Sequence, residues 1–319
     1  MIFEKKILSM YRGMMYTRCD DTETAFYFSA DDFRGLTAEE YRFSSSLGHT
    51  LQGYLYAYEN ARTDRLIVFD HGFGGGHRAY MKEIELLCKR GFRVLAYDHT
   101  GCMQSGGDSP NGLAQSLCDL NDCVTAIKAD PRFFGVDLSV MGHSWGGFST
   151  LNITALHPDI SHIVAISGFV SVEAMVKSFF SGLLRVYRKA VLSLERDSNP
   201  YFSTFSALDT LAVSRTKALL IYSANDRLCC RSHYDALKAA LGERENIEWL
   251  LVEEKGHNPN YTEAAVSYLA EFSMARERLL RQENLTKEEK ERFVSSFDFE
   301  KMTEQDETVW ERIFAHLDA

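Results

Sequence analysis

From residue 65 onward the chain alternates short, unbroken apolar runs with longer stretches whose apolar residues return every three or four positions. The runs at 65–70, 92–97, 138–141, 161–166, 217–222 and 247–252 are bounded by turn residues and read as strands. Between them, Leu113, Leu117, Leu120, Val124 and Ile127 mark one face of a helix. Another helix closes on Lys89, Arg90 and Gly91, a basic last turn followed by glycine. Strands that are apolar throughout and separated by helices predict an α/β fold, a mostly parallel sheet with helices on both faces. Upstream, 41–45 and 51–58 are two further strand candidates, whereas the first forty residues show no clear period.

Residues 169–211 break this rhythm, being far longer than one crossover requires. Met175, Phe179, Phe180, Leu183, Leu184 and Tyr187 recur there at helix-like spacing. A core-facing helix is the plain explanation of such a stripe. Its place after the sixth strand favours a helical cap insertion over the mouth of a site, with Phe179, Phe180 and Leu183 as candidate substrate contacts. Beyond 281, the segments beginning at Thr286 and Thr303 look like helix starts, and Val309, Ile313 and Leu317 form one apolar edge. These are expected to be short outer helices without chemistry. The chain then reads as one domain, 1–319, with an N-terminal extension over 1–40 and a C-terminal helical extension over 282–319.

Composition narrows the function. With 319 residues, 45% hydrophobic and 25% charged, the chain has ample core material. A net charge of −10 argues against a nucleic-acid partner, because binding phosphates needs a basic surface. No apolar run reaches the roughly 18 residues of a membrane span. The first residues do not read as a signal peptide, since Glu4 and Arg12 interrupt them and no small-residue cleavage site follows. The 7 cysteines are scattered, with Cys229 and Cys230 adjacent and no CxxC pair to suggest zinc. Reduced thiols and a cytoplasmic location are the expectation.

The sharpest chemical signal is Gly142-His143-Ser144-Trp145-Gly146, a G-x-S-x-G sequence between an apolar strand and a helical pattern. A turn tight enough to expose Ser144 leaves no room for side chains at 142 and 146. A serine hydroxyl is a weak nucleophile and needs a base held by an acid. Asp226 follows the strand at 217–222 and His257 follows the strand at 247–252, so both fall at the strand edge where ligands bind in open parallel sheets. His233 and His316, on helices, are expected at the solvated surface. His99 and His143 are poorly placed as bases, Asp98 is expected to make turn hydrogen bonds, and Asp209 follows no strand. The tetrahedral intermediate needs two donors, for which the Trp145 and Phe73 backbone N–H groups are the candidates. His71, Gly72 and Gly74 lie on the same glycine-rich loop and are candidate substrate contacts.

With the His71-Gly72 loop, the Asp98-to-Gly101 loop, the Ser144 elbow, Asp226 and His257 in that order, residues 41–281 resemble the α/β-hydrolase superfamily. The resemblance implies acyl transfer to water through a serine ester, with Ser144 as nucleophile, His257 as base and Asp226 as its orienting acid, and no metal or organic cofactor. Serine at the nucleophile position argues against a haloalkane dehalogenase, which would use aspartate, and a dienelactone hydrolase, which would use cysteine. A small-molecule ester with a neutral or apolar acyl group is the expected substrate. A second expectation is a peptidase similar to prolyl aminopeptidases, with Glu173 or Glu195 receiving the peptide's amino end. A non-catalytic binding protein on the same fold would show a degraded triad, and every member is present.

Overall fold

The computed structural model describes residues 2–20 and 22–319. Among them, eight strands form one sheet in the order β1-β2-β4-β3-β5-β6-β7-β8. At its edge β1 (Thr37–Ser44) and β2 (Thr50–Ala57) run antiparallel, and β2 pairs antiparallel with β4 (Arg93–Tyr97). The rest is parallel: β3 (Arg65–Asp70), β5 (Asp137–His143), β6 (His162–Ile166), β7 (Lys217–Ser223) and β8 (Ile247–Val252). This is the α/β-hydrolase fold. β1 begins four residues before its predicted start, because the exposed stretch from Thr37 to Glu40 still pairs with β2.

Alternate residues of each strand enter two cores, as the pleat requires. Leu66, Val68, Val140, Ile163 and Leu220 face a core completed by α3 (Gln115–Ala129), α4 (Trp145–Asn152), α7 (Ala207–Val213) and α8 (Arg231–Leu241), while α1 (Ile2–Met15), α5 (Val172–Phe179) and α6 (Arg188–Ser198) extend the same core beyond the sheet. Ile67, Phe69, Met141, Val164 and Ile221 face the other, completed by α2 (Met81–Lys89) and α12 (Glu307–Leu317). The C-terminal helix is therefore part of the sheet's cover and not an outer decoration. Val309, Ile313 and Leu317 are buried against it, and the helix is capped by Asp306 in place of the expected Thr303. Between β8 and α12 lie α9 (Glu263–Leu280), α10 (Lys287–Ser295) and the short α11 (Phe299–Met302), joined by an aromatic cluster of Phe272, Phe293, Phe297 and Phe299. Thr286 and Glu289 close a capping box at the start of α10.

The 169–211 stretch divides in two. α5, a 3₁₀ turn over Gly182–Tyr187 and α6 stand outside the sheet layers, while α7 packs beneath α4 and α8 as an ordinary crossover helix. The apolar stripe does not continue as one helix: Met175 and Phe180 are buried, but Leu183 and Leu184 are exposed on the turn. The first residues form α1, whose Ile7, Leu8, Tyr11 and Met15 pack into the same core as α6. Two histidines expected at the surface are enclosed. His233 lies on the inner side of α8 with Leu237 and Leu241, where Nδ1 accepts from Val170 N–H, and His316 turns inward from α12 onto Glu248.

Candidate active site

Ser144 stands between β5 and α4 with φ 57° and ψ −109°, a left-handed backbone that costs a serine about 1–3 kcal/mol. Its neighbours make the turn possible. A Cβ on Gly142 would lie 2.3 Å from the Gly146 carbonyl oxygen, and one on Gly146 would lie 2.0 Å from that of Asp70. The Ser144 N–H donates to the Ile166 carbonyl at 2.8 Å, which ties the elbow to the end of β6.

The loops after β7 and β8 bring Asp226 and His257 to this point. His257 Nε2 lies 2.8 Å from Ser144 Oγ, and its Nδ1 lies 2.8 Å from Asp226 Oδ2. The other oxygen, Oδ1, accepts from the Leu228 and Cys229 N–H groups. Burial works against the Asp226 charge, but the His257 hydrogen bond and charge and the Leu228 N–H outweigh it and hold the carboxyl below its usual range. Asn225 Oδ1 joins the two loops by accepting from Ser223 Oγ and from Gly256 N–H, both at 2.8 Å. Lys255 Nζ anchors the second loop by donating to the Tyr261 carbonyl and to Asp306 Oδ2.

A second set of bonds joins this loop to the glycine-rich one. Tyr80 OH accepts from Gly72 N–H at 3.1 Å and donates to His143 Nδ1 at 2.8 Å, and His143 Nε2–H donates to the His257 carbonyl at 2.8 Å. This chain needs a neutral His143, and burial, with His257 adding to it, lowers its pKa to about 3. No motif marks Tyr80, which closes the short 3₁₀ turn leading into α2.

Among the described residues, neither the Phe73 nor the Trp145 backbone N–H is used in a hydrogen bond within the protein. The Phe73 ring packs edge-on against the Trp145 ring, whose Nε1 donates to the Leu113 carbonyl at 2.7 Å. The other expected contacts fare differently. Gly72 spends its N–H on Tyr80, and Gly74 is part-exposed with open space around its Cα. His71 is fully buried and accepts from His99 N–H, so its ring is closed off from substrate. Phe179 is partly buried in the core, Phe180 packs on Tyr11, and Leu183 stands in solvent. Glu195 is no amine receptor. It is enclosed and accepts from Tyr11 OH, Tyr16 OH and Leu113 N–H. Glu173 is exposed and paired with Lys177. One group of potential metal ligands, Cys118, Asp119 and Asp122, is drawn together among the described residues. Its carboxylates already accept from Thr100, Gln115 and Ser46.

Beneath the elbow, His99 lies between Asp70 and Asp119, 2.9 and 3.2 Å away. Burial disfavours its charge, but the two carboxylates overcome this and raise its pKa to about 10. Asp70 also accepts from Tyr97 OH and from Ser149 Oγ on α4. The pH dependence of stability follows. Below about pH 6.5 the unfolded chain binds protons that buried His71 and His143, both lowered to about 3 chiefly by burial, refuse. Stability falls as pH drops from there. Above it, the folded chain retains the His99 proton that the unfolded chain has lost, and that contribution disappears as pH rises towards 10. Urea midpoints should therefore peak near pH 6.5, and His99→Gln should flatten the alkaline side only; an equal alkaline slope in the variant refutes the His99 assignment.

A family model described as Hydrolase_4, serine aminopeptidase, S33, matches residues 61–232. Two putative carbamate hydrolases named RutD are similar over shorter spans. That of Agrobacterium fabrum is 26% identical over 149 residues, 45% of this chain and 54% of the relative, and that of Rhizobium rhizogenes is 31% identical over 98 residues, 30% and 35% respectively. This chain thus spans about half the length of the first of these relatives, and less of the second. Among solved structures, the Pyrococcus furiosus esterase Pf2001 superposes with a TM-score of 0.59 at 19% identity, covering 82% of this chain and 98% of its own. Est1E from Butyrivibrio proteoclasticus, with ferulic acid bound, superposes with a TM-score of 0.53 at 19% identity, covering 76% and 98%. These likenesses are of fold, and the family match spans more than half of the sequence: the chain belongs to the serine aminopeptidase S33 family of α/β hydrolases.

Proposed function

We propose that this protein is a serine hydrolase that cleaves carboxylic esters through an acyl-enzyme intermediate. The observation that carries the reading is the continuous line from Ser144 Oγ through His257 to Asp226, with both hydrogen bonds at 2.8 Å. Ser144 Oγ attacks the carbonyl carbon while His257 Nε2 takes its proton and then delivers it to the leaving alcohol. Asp226 holds the Nδ1–H tautomer and stabilises the imidazolium. The Phe73 and Trp145 N–H groups receive the oxyanion. Water, deprotonated by His257, then releases the acid and restores Ser144. α5, the Gly182–Tyr187 turn and α6 act as the cap in this reading, although the Phe180 ring serves their packing instead of the substrate. The seven unpaired cysteines support a cytoplasmic location. Among the described residues, no helix is long and apolar enough to cross a membrane.

The family description and the carbamate hydrolase relatives favour amide or carbamate cleavage as a second reading. Against a prolyl aminopeptidase-like enzyme stands Glu195, which is fully enclosed and held by three donors within the protein, out of reach of a substrate ammonium group. Treatment with a fluorophosphonate probe, followed by mass spectrometry of the adduct, is expected to place the label on Ser144. Hydrolysis of p-nitrophenyl acyl esters, compared with proline arylamides, then separates the readings. Turnover of the arylamides alone reverses their order.

A further inference from the structure

α1 buries one stripe and exposes a second. Its inner side is held by Tyr11, whose hydroxyl donates to Glu195 at 2.7 Å and whose ring meets that of Phe180 at 6.0 Å. Phe3, Met10 and Met14 fall on one side of the same helix and are 74%, 58% and 59% exposed. Immediately beyond Phe180, the turn Gly182–Tyr187 holds out Leu183 and Val186, 94% and 69% exposed, with Leu184 beside them. Single apolar side chains in water are ordinary, but this many on two segments joined at one aromatic contact are not.

The charge around them runs against the rest of the molecule. Lys6, which stands beside the Phe3, Met10 and Met14 side of α1, and Arg185 and Lys189 on the second segment are exposed, and among the described residues none of them has a carboxylate within salt-bridge distance; Lys5 and Arg12 lie on the opposite side of α1. Glu4 is the one acid on α1, and 181–194 contains none, in a chain whose net charge is −10. A basic, apolar face on an acidic protein is complementary to an anionic bilayer, where cations meet headgroups and apolar side chains enter the acyl boundary. A second copy of this chain fits less well, because a two-fold contact would set the same cations against each other.

We propose that α1 and the 181–189 segment form a docking face for an anionic lipid bilayer. The proposal does not depend on the assignment of Ser144, His257 and Asp226. The test uses the full chain in sedimentation with vesicles of phosphatidylcholine alone and of phosphatidylcholine mixed with phosphatidylglycerol. Binding is expected only to the mixed vesicles and should weaken as salt rises. Two variants, Lys6→Glu/Arg185→Glu/Lys189→Glu and Leu183→Ser/Val186→Ser, should each bind them roughly tenfold more weakly or worse. All the altered side chains lie at the surface, so unchanged circular dichroism and an unchanged melting temperature should accompany the loss. Absence of binding to the mixed vesicles, equal binding to both kinds, or wild-type binding by both variants overturns the proposal. So does a dimer in solution that the Leu183→Ser/Val186→Ser variant abolishes without any binding to vesicles.

Discussion

Ser144→Ala is expected to lower kcat for p-nitrophenyl esters by roughly four to six powers of ten, with the fold intact. The variant removes the only atom that the proposed mechanism bonds to substrate. His257 keeps its Asp226 partner, and the Phe73 and Trp145 N–H groups stay where they were, so a residual rate of about a thousandfold over water is the ceiling. The stability change should be small. Alanine inherits the same left-handed backbone that Ser144 already adopts, and what disappears is one hydrogen bond to a part-exposed imidazole. Thermal melts within a few degrees of wild type, beside loss of turnover and of fluorophosphonate labelling, form the expected pair of results. Hydrolysis at the wild-type rate would place the nucleophile elsewhere.

Much of this site was legible because its parts are local. A strand, a glycine, a serine and a glycine specify the elbow within a few residues, and the steric reason holds: neither Gly142 nor Gly146 has room for a Cβ. Asp226 and His257 stood out because each follows an apolar run that reads as a strand of the parallel sheet, β7 inside it and β8 at its edge. The parts that escaped depend on packing between distant segments. α1 shows no clean period because Ile7, Leu8, Tyr11 and Met15 face the core while Phe3, Met10 and Met14 face outward, so apolar residues occupy two sides of one helix. Phe180 and Leu183 are three residues apart on what reads as one stripe, yet the helix ends at Phe179 and the turn that follows sends them in different directions. His233 looked solvated from its residue type alone. The period set by Leu237 and Leu241 would have put it on the inner side of α8. Tyr80 could not have been found at all, since its role is to meet His143 across 63 residues of sequence.

Asp226→Asn should be nearly as damaging as loss of the nucleophile, although it changes one atom. Oδ1 of Asp226 accepts from the Leu228 and Cys229 N–H groups, so the amide oxygen of an asparagine must take that position to keep both bonds. The NH₂ group then faces His257 Nδ1, where Oδ2 stood 2.8 Å away. Two donors cannot share that contact, so the His257 proton moves to Nε2, and a protonated Nε2 donates to Ser144 Oγ instead of receiving its proton. The opposite amide rotamer restores the tautomer but leaves two amide donors facing an NH₂ group, at a cost of about 1–3 kcal/mol for each buried donor left unpaired. The expected outcome is a fall in kcat of about 10⁴-fold with KM little changed. Melting should stay close to wild type, because the shape of the side chain is kept. An Asp226→Asn enzyme within tenfold of wild type would show that another group orients His257, and the line from hydroxyl to imidazole to carboxylate would then be structural and not catalytic.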